Sequence, residues 1–217
     1  MTHFLKKTLS AARLSTFINL TNKEGERRTY EDLYALNMQY SKELYVVLAG
    51  LEVAVRNNFH IACQNYTKKE NWLSLGLLKD KHERQVNDAI KHLVREKQDT
   101  YVLDDVVAQL NYGFWVNLCN QPYDATLWRG GLYRCFPALG QKPQRKDIRE
   151  RLERTLQLRN KIAHLEPIIK REELLIQEYR NISELLYAMC SETQEWFAKI
   201  CNFEEIWNNR FEHRGKI

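Results

Sequence analysis

The chain has 217 residues, enough for one substantial domain or at most two small ones. Hydrophobic residues make up 44% and charged residues 28%, and glycine (8) and proline (4) are scarce, which favours helices over a turn-rich all-β fold. The formal net charge of +5 is modest, no apolar run approaches a membrane span, and the first residues lack the apolar core of a signal peptide, so we expect a cytoplasmic protein.

Helical periodicity accounts for most of the chain, and we predict an all-α fold with a single bundle-like domain over residues 29–200. A short helix and a polar loop precede this domain in residues 1–28, and a polar tail follows it in residues 201–217. Thr29 and Asp32 have the spacing of a capping box, and the periodicity then continues to about Tyr66, as one long helix or as two with a kink at Gly50. Further helices are predicted over about 81–96, 112–120, 172–189 and 192–200. Another helix is predicted to follow the loop at 136–143 and to end at about residue 164.

The cysteines are scattered and form no Cys-x-x-Cys pair. Their odd number and wide spacing argue against a disulfide framework and against a zinc site. Because free cysteine packs as a small hydrophobe, we expect reduced and mostly buried thiols at Cys63, Cys119, Cys135, Cys190 and Cys201.

Basic residues are concentrated in the predicted helix that precedes residue 164. Between Gln141 and Lys161 there are eight Lys and Arg against three Asp and Glu, and the excess of 8 − 3 = +5 equals that of the whole chain. Such a stripe would attract a polyanion, but it equally suits a solvated helix face with Arg–Glu pairs. The residues for which we predict contacts with the backbone of a polyanion such as a nucleic acid are Lys142, Arg145, Lys146, Arg149 and Lys161.

The segment Arg159-Asn160-Lys161-Ile162-Ala163-His164 carries the most informative chemistry in the chain. Histidine transfers protons near neutral pH, arginine binds phosphate oxygens bidentately, and asparagine can orient the imidazole or contact the phosphate. Such a set could cleave RNA without a metal by activating the ribose 2′-hydroxyl, which DNA lacks. The alternative is a polar helix end at which Lys161 and His164 contact the last backbone carbonyls.

Helix geometry separates two of these side chains. Asn160 and His164, four residues apart, share a face, but Arg159 and His164 are about 140° apart. They could converge on one phosphate if the helix unwound near Pro167, or if a second copy of the motif supplied the missing partner across a two-fold axis.

A second group lies on the long helix, where Glu52, Arg56 and His60 are spaced four residues apart. The order of Glu52 and Arg56 favours an i,i+4 ion pair. This pair either fixes the packing of the helix or supports a site at Arg159 and His164, and we expect His60 to take no part.

Other candidate sites are weaker. His164 and Glu166 are too few ligands for a metal, and the chain has no glycine-rich phosphate loop, so we predict no metal and no cofactor. Tyr112-Gly113-Phe114-Trp115 could stack on nucleic-acid bases, but an aromatic cluster beside aliphatic residues is more typical of a core. The same interpretation applies to Trp128, Tyr133 and Phe136.

Five segments follow one another as blocks that occur together in one known protein family. They are Leu51-Glu52-Val53-Ala54-Val55-Arg56-Asn57-Asn58, Tyr112-Gly113-Phe114-Trp115-Val116-Asn117-Leu118, Leu127-Trp128 with Phe136-Pro137, Arg159-Asn160-Lys161-Ile162-Ala163-His164, and Glu166-Pro167-Ile168. In this order they resemble the Abi-like (abortive-infection) branch of the HEPN superfamily. The signature of that superfamily is an arginine, with an asparagine directly after it, that is separated from a histidine by four to six residues. The resemblance covers about residues 34–169, and it departs from the family at Leu165, where a second histidine is common.

The resemblance implies a helical, usually dimeric protein with metal-independent endoribonuclease activity in anti-phage defence or toxin–antitoxin systems. It implies that His164 is the general acid and base, Arg159 stabilises the transition state, Asn160 orients substrate or imidazole, and Glu52 and Arg56 support them. Partners to expect are RNA, a second copy, and a cognate small RNA or antitoxin. Two other hypotheses remain open, namely a non-catalytic protein that holds a small RNA or regulates a defence complex, and a helical protein–protein module.

Overall fold

The computed structural model describes residues 3–140 and 143–212, and these residues form helices, turns and loops without a β-strand. The predicted all-α class is confirmed. None of the described helices is both long and apolar enough to cross a membrane. The helices are α1 (His3–Leu9), α2 (Ala11–Thr21), α3 (Tyr30–Thr67), α4 (Asp80–Lys97), α5 (Leu103–Gln109), α6 (Tyr112–Asn117), α7 (Arg145–Ala163), α8 (Glu172–Met189), α9 (Ser191–Ile200) and α10 (Phe203–Asn208).

Helix α3 is the central element, and it packs against α2, α6, α7, α8, α9 and α10. Its start is fixed by the predicted capping box. The Asp32 carboxylate accepts the Thr29 backbone N–H at 2.9 Å, and the Thr29 hydroxyl accepts the Asp32 N–H at 3.1 Å. Leu44, Leu51 and Val55, on one face of α3, are completely buried.

Gly50 of α3 allows a close crossing with α9. The helix runs through Gly50 as one continuous element of 38 residues, so the alternative of two helices with a kink is wrong. A Cβ atom at residue 50 would lie 2.4 Å from ring carbons of Phe197 on α9. The missing side chain therefore lets the Phe197 ring lie directly against the α3 backbone.

The region between α6 and α7 consists of short turns. The helix predicted over about 112–120 already ends at Asn117 as α6, and α5 was not predicted. The segments that connect α6 to α7 are 3₁₀ turns at Gln121–Tyr123, Leu132–Cys135 and Pro137–Leu139 and a π-helical turn at Asp124–Trp128.

Both ends of the described chain contribute to the core. Leu14 and Phe17 of α2 are buried together with α3. The prediction of a polar tail from residue 201 is wrong for residues 203–208, because they form α10 and Phe203 is completely buried. The Phe203 ring stacks on Tyr179 of α8 with ring centroids 4.9 Å apart. Residues 213–217 of the predicted tail lie outside the described residues.

A buried charge network ties the loop before α3 to the first turn of α8. The Arg28 guanidinium donates to both carboxylate oxygens of Glu172, at 3.0 and 2.8 Å, and also to Glu26. The Tyr40 hydroxyl donates to the same Glu172 carboxylate at 2.9 Å. Hydrogen bonds from Arg28 lower the pKa of Glu26 to about 2, so this loop is held by a charged pair across the usual pH range.

The aromatic segment and most cysteines belong to the core, as predicted. Tyr112, Phe114 and Trp115 are 0–1% exposed. Trp128 and Phe136 are also buried, while Tyr133 is half-buried. All five cysteines are free thiols; Cys190 is exposed and the buried ones are Cys63, Cys119, Cys135 and Cys201.

Candidate functional site

Helix α7 stays regular through the Arg159–His164 motif and ends directly after it. The amide of Leu165 donates to the Ile162 carbonyl at 2.9 Å, and the amide of Glu166 donates to the Lys161 carbonyl at 2.8 Å. These two bonds form a Schellman motif, in which Leu165 adopts a left-handed conformation with a φ of 56°. The helix therefore does not unwind within the motif, and Arg159 and His164 keep the separation of about 140° expected on a regular helix.

The backbone closes the end of α7 and leaves the polar side chains of the motif free. Asn160, Lys161 and His164 are exposed. Their side chains make no hydrogen bond or ion pair with any residue in the described ranges. The alternative in which Lys161 and His164 bind the last carbonyls is therefore not observed, because backbone amides already occupy the carbonyls of residues 160–162.

Arg159 lies on the side of α7 that faces α3. Its Nε donates to Glu52 Oε2 at 3.2 Å, and the two side chains are 34% and 17% exposed. The predicted ion pair between Glu52 and Arg56 is wrong, because α7 packs beside α3 and brings the Arg159 guanidinium to the Glu52 carboxylate. The Nε atom of Arg56 is buried without a hydrogen-bond partner among the described residues. The structure thus brings Arg159 and Glu52 together and leaves His164 apart from them.

His60 is part of the core. Its Nδ1 accepts the indole N–H of Trp72 at 3.0 Å, and burial lowers the pKa of the imidazole. A buried histidine with this hydrogen bond is unsuited to proton exchange with a substrate at the surface.

Two arginines of the basic stripe are used to hold α7 in place. Arg145 Nη1 donates to the Cys119 carbonyl at 2.7 Å. Arg149 Nε donates to the Asn120 side-chain oxygen, and its Nη1 lies 3.0 Å from Glu153. The predicted contacts of Arg145 and Arg149 with RNA would therefore compete with bonds that fasten α7 to the segment after α6.

The other predicted RNA-contacting residues differ in their surroundings. Lys146 is exposed, with Nζ 3.8 Å from a Glu150 carboxylate oxygen. Lys161 is exposed and unpaired within the described ranges. Lys142 lies outside the described residues.

A cleft beside the motif could not be recognised in the sequence. It has a volume of about 470 Å³ and lies between α7, the turn Ile168–Arg171 and α8. Four of its lining residues are basic. Its wall includes Lys161, which precedes His164 in the chain, and Glu166, which follows it. The sequence does show a second basic pair after Pro167. Its position relative to α7 depends on the turn between the helices, so the sequence alone could not place it in a cleft. The basic lining residues are Arg154, Lys161, Lys170 and Arg171.

Helix α2 also contacts the end of the motif. The Arg13 guanidinium of α2 donates a hydrogen bond to the Leu165 carbonyl. This contact joins residues 152 positions apart, so residue spacing could not reveal it. It fixes the backbone immediately after His164.

The chemistry available at this surface is anion binding and proton transfer. Arg159 supplies a cation, Asn160 supplies an amide, and His164 supplies an imidazole with two nitrogen atoms. Within the described ranges no group of three His, Cys, Asp or Glu side chains is close enough to hold a metal ion.

Comparisons of the chain with protein-family models, with curated proteins and with solved structures find no match.

Proposed function

We propose that this protein is a cytoplasmic, metal-independent endoribonuclease of the HEPN type that acts as a homodimer in anti-phage or toxin–antitoxin defence. The observation that carries the proposal is that Asn160 and His164 of the motif have free side chains. Backbone bonds close the end of α7, so the side chains of Asn160 and His164 remain exposed and available to a ligand. Lysine and histidine side chains in the last turn of a helix can bond its last carbonyls, and Lys161 and His164 do not do so.

In the proposed reaction, the 2′-hydroxyl of the RNA attacks the adjacent phosphorus. The His164 imidazole removes the hydroxyl proton, the bond between phosphorus and the 5′-oxygen breaks, and an imidazolium returns a proton to that oxygen. Arg159 neutralises the charge that develops on the phosphoryl oxygens. The products carry a 2′,3′-cyclic phosphate and a 5′-hydroxyl.

The separation of Arg159 and His164 supports a dimer as part of this proposal. On one α7 the two side chains diverge, and the pair between Arg159 and Glu52 holds the arginine toward α3 at 3.2 Å. A two-fold axis near α7 could bring His164 of a second copy to this arginine. Glu52 then acts as a positioning residue for Arg159, and Arg56, one helical turn further along α3, supports the same surface.

A second candidate is a non-catalytic protein that holds a small RNA. The basic cleft beside the motif favours it, because a cleft can bind the strand without cleaving it. In that case binding would weaken steeply with salt and no product would form.

The test is cleavage of end-labelled mixed RNAs in EDTA by the wild type, His164→Ala and a control, His92→Ala. His92 is an exposed histidine on α4. Its replacement by alanine therefore removes the same side chain as His164→Ala, but away from the motif. We expect the wild type and the control to cleave with 2′,3′-cyclic phosphate ends, and His164→Ala to be at least about 100-fold slower because general acid–base catalysis contributes that much. Wild-type-like cleavage by His164→Ala would exclude the proposed role. Tight binding without any cleavage by the wild type would favour the second candidate.

A further inference from the structure

The cleft between α7 and α8 combines unpaired positive charge with an apolar floor. Of its basic residues, Arg154 is neutralised by Glu178, to which its Nη2 donates at 2.9 Å. Lys161, Lys170 and Arg171 are exposed and make no ion pair with any part of the chain that the structure describes. With Glu166 as the other acidic residue of the lining, the net lining charge is 4 − 2 = +2. Unpaired cations that line one concave surface raise its local positive potential.

The floor of the cleft is apolar. It is formed by Leu158, Ile168 and Leu175, which are buried, with Pro167 and Leu174 at the side. Inorganic phosphate would gain nothing from such a floor. A nucleotide has both a flat, largely apolar base and an anionic phosphate, so it matches both parts of the lining. The volume of about 470 Å³ lies within the range of sites that bind small organic groups.

The cleft lies beside the motif and shares Lys161 with it. Lys161 lies between Asn160 and His164 on α7, and Glu166 follows His164 by two residues. A strand whose phosphate lies at His164 could therefore place its neighbouring nucleotide in the cleft.

We propose that this cleft binds the nucleotide next to the scissile phosphate of a single-stranded RNA. The base lies on the apolar floor, and Lys161, Lys170 and Arg171 bind the backbone phosphates. This assignment rests on the proposed function for the position of the scissile phosphate. It places the principal RNA contacts on the α8 side of α7, whereas Arg145 and Arg149 hold the opposite side of α7 to the segment after α6.

The experiment measures the binding of a fluorescent single-stranded RNA by anisotropy over a range of salt concentrations. All proteins carry His164→Ala so that the RNA stays intact. The variant is Lys161→Gln/Lys170→Gln/Arg171→Gln. The control is Lys81→Gln/Lys91→Gln/Arg95→Gln, which removes the same types of charge from exposed positions on α4.

We expect the cleft variant to lower the slope of log affinity against log salt by about 2, since each phosphate contact with a single strand contributes about 0.7. At about 0.1 M salt this corresponds to binding roughly 100-fold weaker, and the α4 control should bind like its parent. Circular dichroism establishes that each variant is folded. If the triple variant fails to fold, Lys170→Gln and Arg171→Gln are measured singly, each with an expected slope change of about 0.7.

An unchanged slope and affinity in the cleft variant would overturn the proposal. Nucleoside monophosphates serve as a second probe, and their binding as tightly as RNA would overturn the assignment to a strand in favour of a free nucleotide. The outcome is separable from that of the proposed function. If the wild type binds RNA through the cleft but never cleaves it, the proposed nuclease activity is excluded. If the wild type cleaves RNA but the cleft variant binds it normally, the proposed role of the cleft is excluded.

Discussion

Leu165 carries conformational strain immediately after the histidine of the motif. Its φ of 56° lies in the left-handed region, which glycine adopts freely but a leucine does not. The side chain is 61% exposed, so burial gives little compensation. The conformation is instead held by the Schellman bonds at the end of α7 and by the hydrogen bond from Arg13 to the Leu165 carbonyl. These contacts keep the chain after His164 in one orientation.

We expect Leu165→Gly to raise the free energy of unfolding by about 1 kcal/mol, because it removes the cost of a left-handed L-residue. The measurement is urea denaturation followed by circular dichroism. A matched control is Leu75→Gly, at an exposed leucine with a φ of −87°. There glycine relieves no strain and should lower the free energy of unfolding, by about 0.5 to 1 kcal/mol. Equal effects at the two positions would show that the strain at residue 165 is not significant.

At the scale of helices, the crossing of α3 and α9 depends on Gly50. Alanine is the better helix former by about 1 kcal/mol, so propensity alone predicts that Gly50→Ala stabilises α3. The Cβ atom would however lie 2.4 Å from the Phe197 ring. We expect this overlap to prevail and to lower the free energy of unfolding by about 1–2 kcal/mol.

The measurement is a double-mutant cycle with Phe197→Leu, in which each free energy of unfolding is obtained by urea denaturation. The smaller side chain should make room for the added methyl group, so Gly50→Ala should cost less in the Phe197→Leu background than in the wild type. Additive effects would show that Gly50 and Phe197 do not compete for space.

Local patterns in the sequence predicted the helices better than the contacts between them. The bounds of α8 at Glu172–Met189 agree with the prediction, and α7 ends near Pro167 as expected, because periodicity and the restriction before proline act within a few residues. The pair between Glu52 and Arg159 joins positions 107 residues apart, and it displaced the local pair that spacing favoured. The burial of Phe203 likewise depends on Tyr179, which belongs to another helix.

At the scale of the whole molecule, one copy presents the two principal groups of the motif in different directions. Glu52 holds Arg159 on the side of α7 that faces α3, and His164 is exposed at the end of the helix. Because α7 is regular through the motif, bringing the two side chains together within one chain would require breaking helix bonds and the Arg159–Glu52 pair. Association of two folded copies requires neither change.

A composite site predicts that two inactive variants restore each other. If Arg159 of one copy acts with His164 of the other, homodimers of Arg159→Ala or of His164→Ala contain no complete site, whereas the mixed dimer contains one of two. Random pairing of equal amounts gives mixed dimers in about half of the population, so we expect about a quarter of the wild-type cleavage rate after the two variants are unfolded and refolded together.

The double variant Arg159→Ala/His164→Ala, refolded with Arg159→Ala, provides the control, because no pairing of these chains joins an arginine to a histidine of the other copy. Recovery in the first mixture and none in the second would show that the arginine and histidine come from different chains. No recovery in either, with dimers present by light scattering, would mean that each site is formed within one chain and that α7 must rearrange when RNA binds.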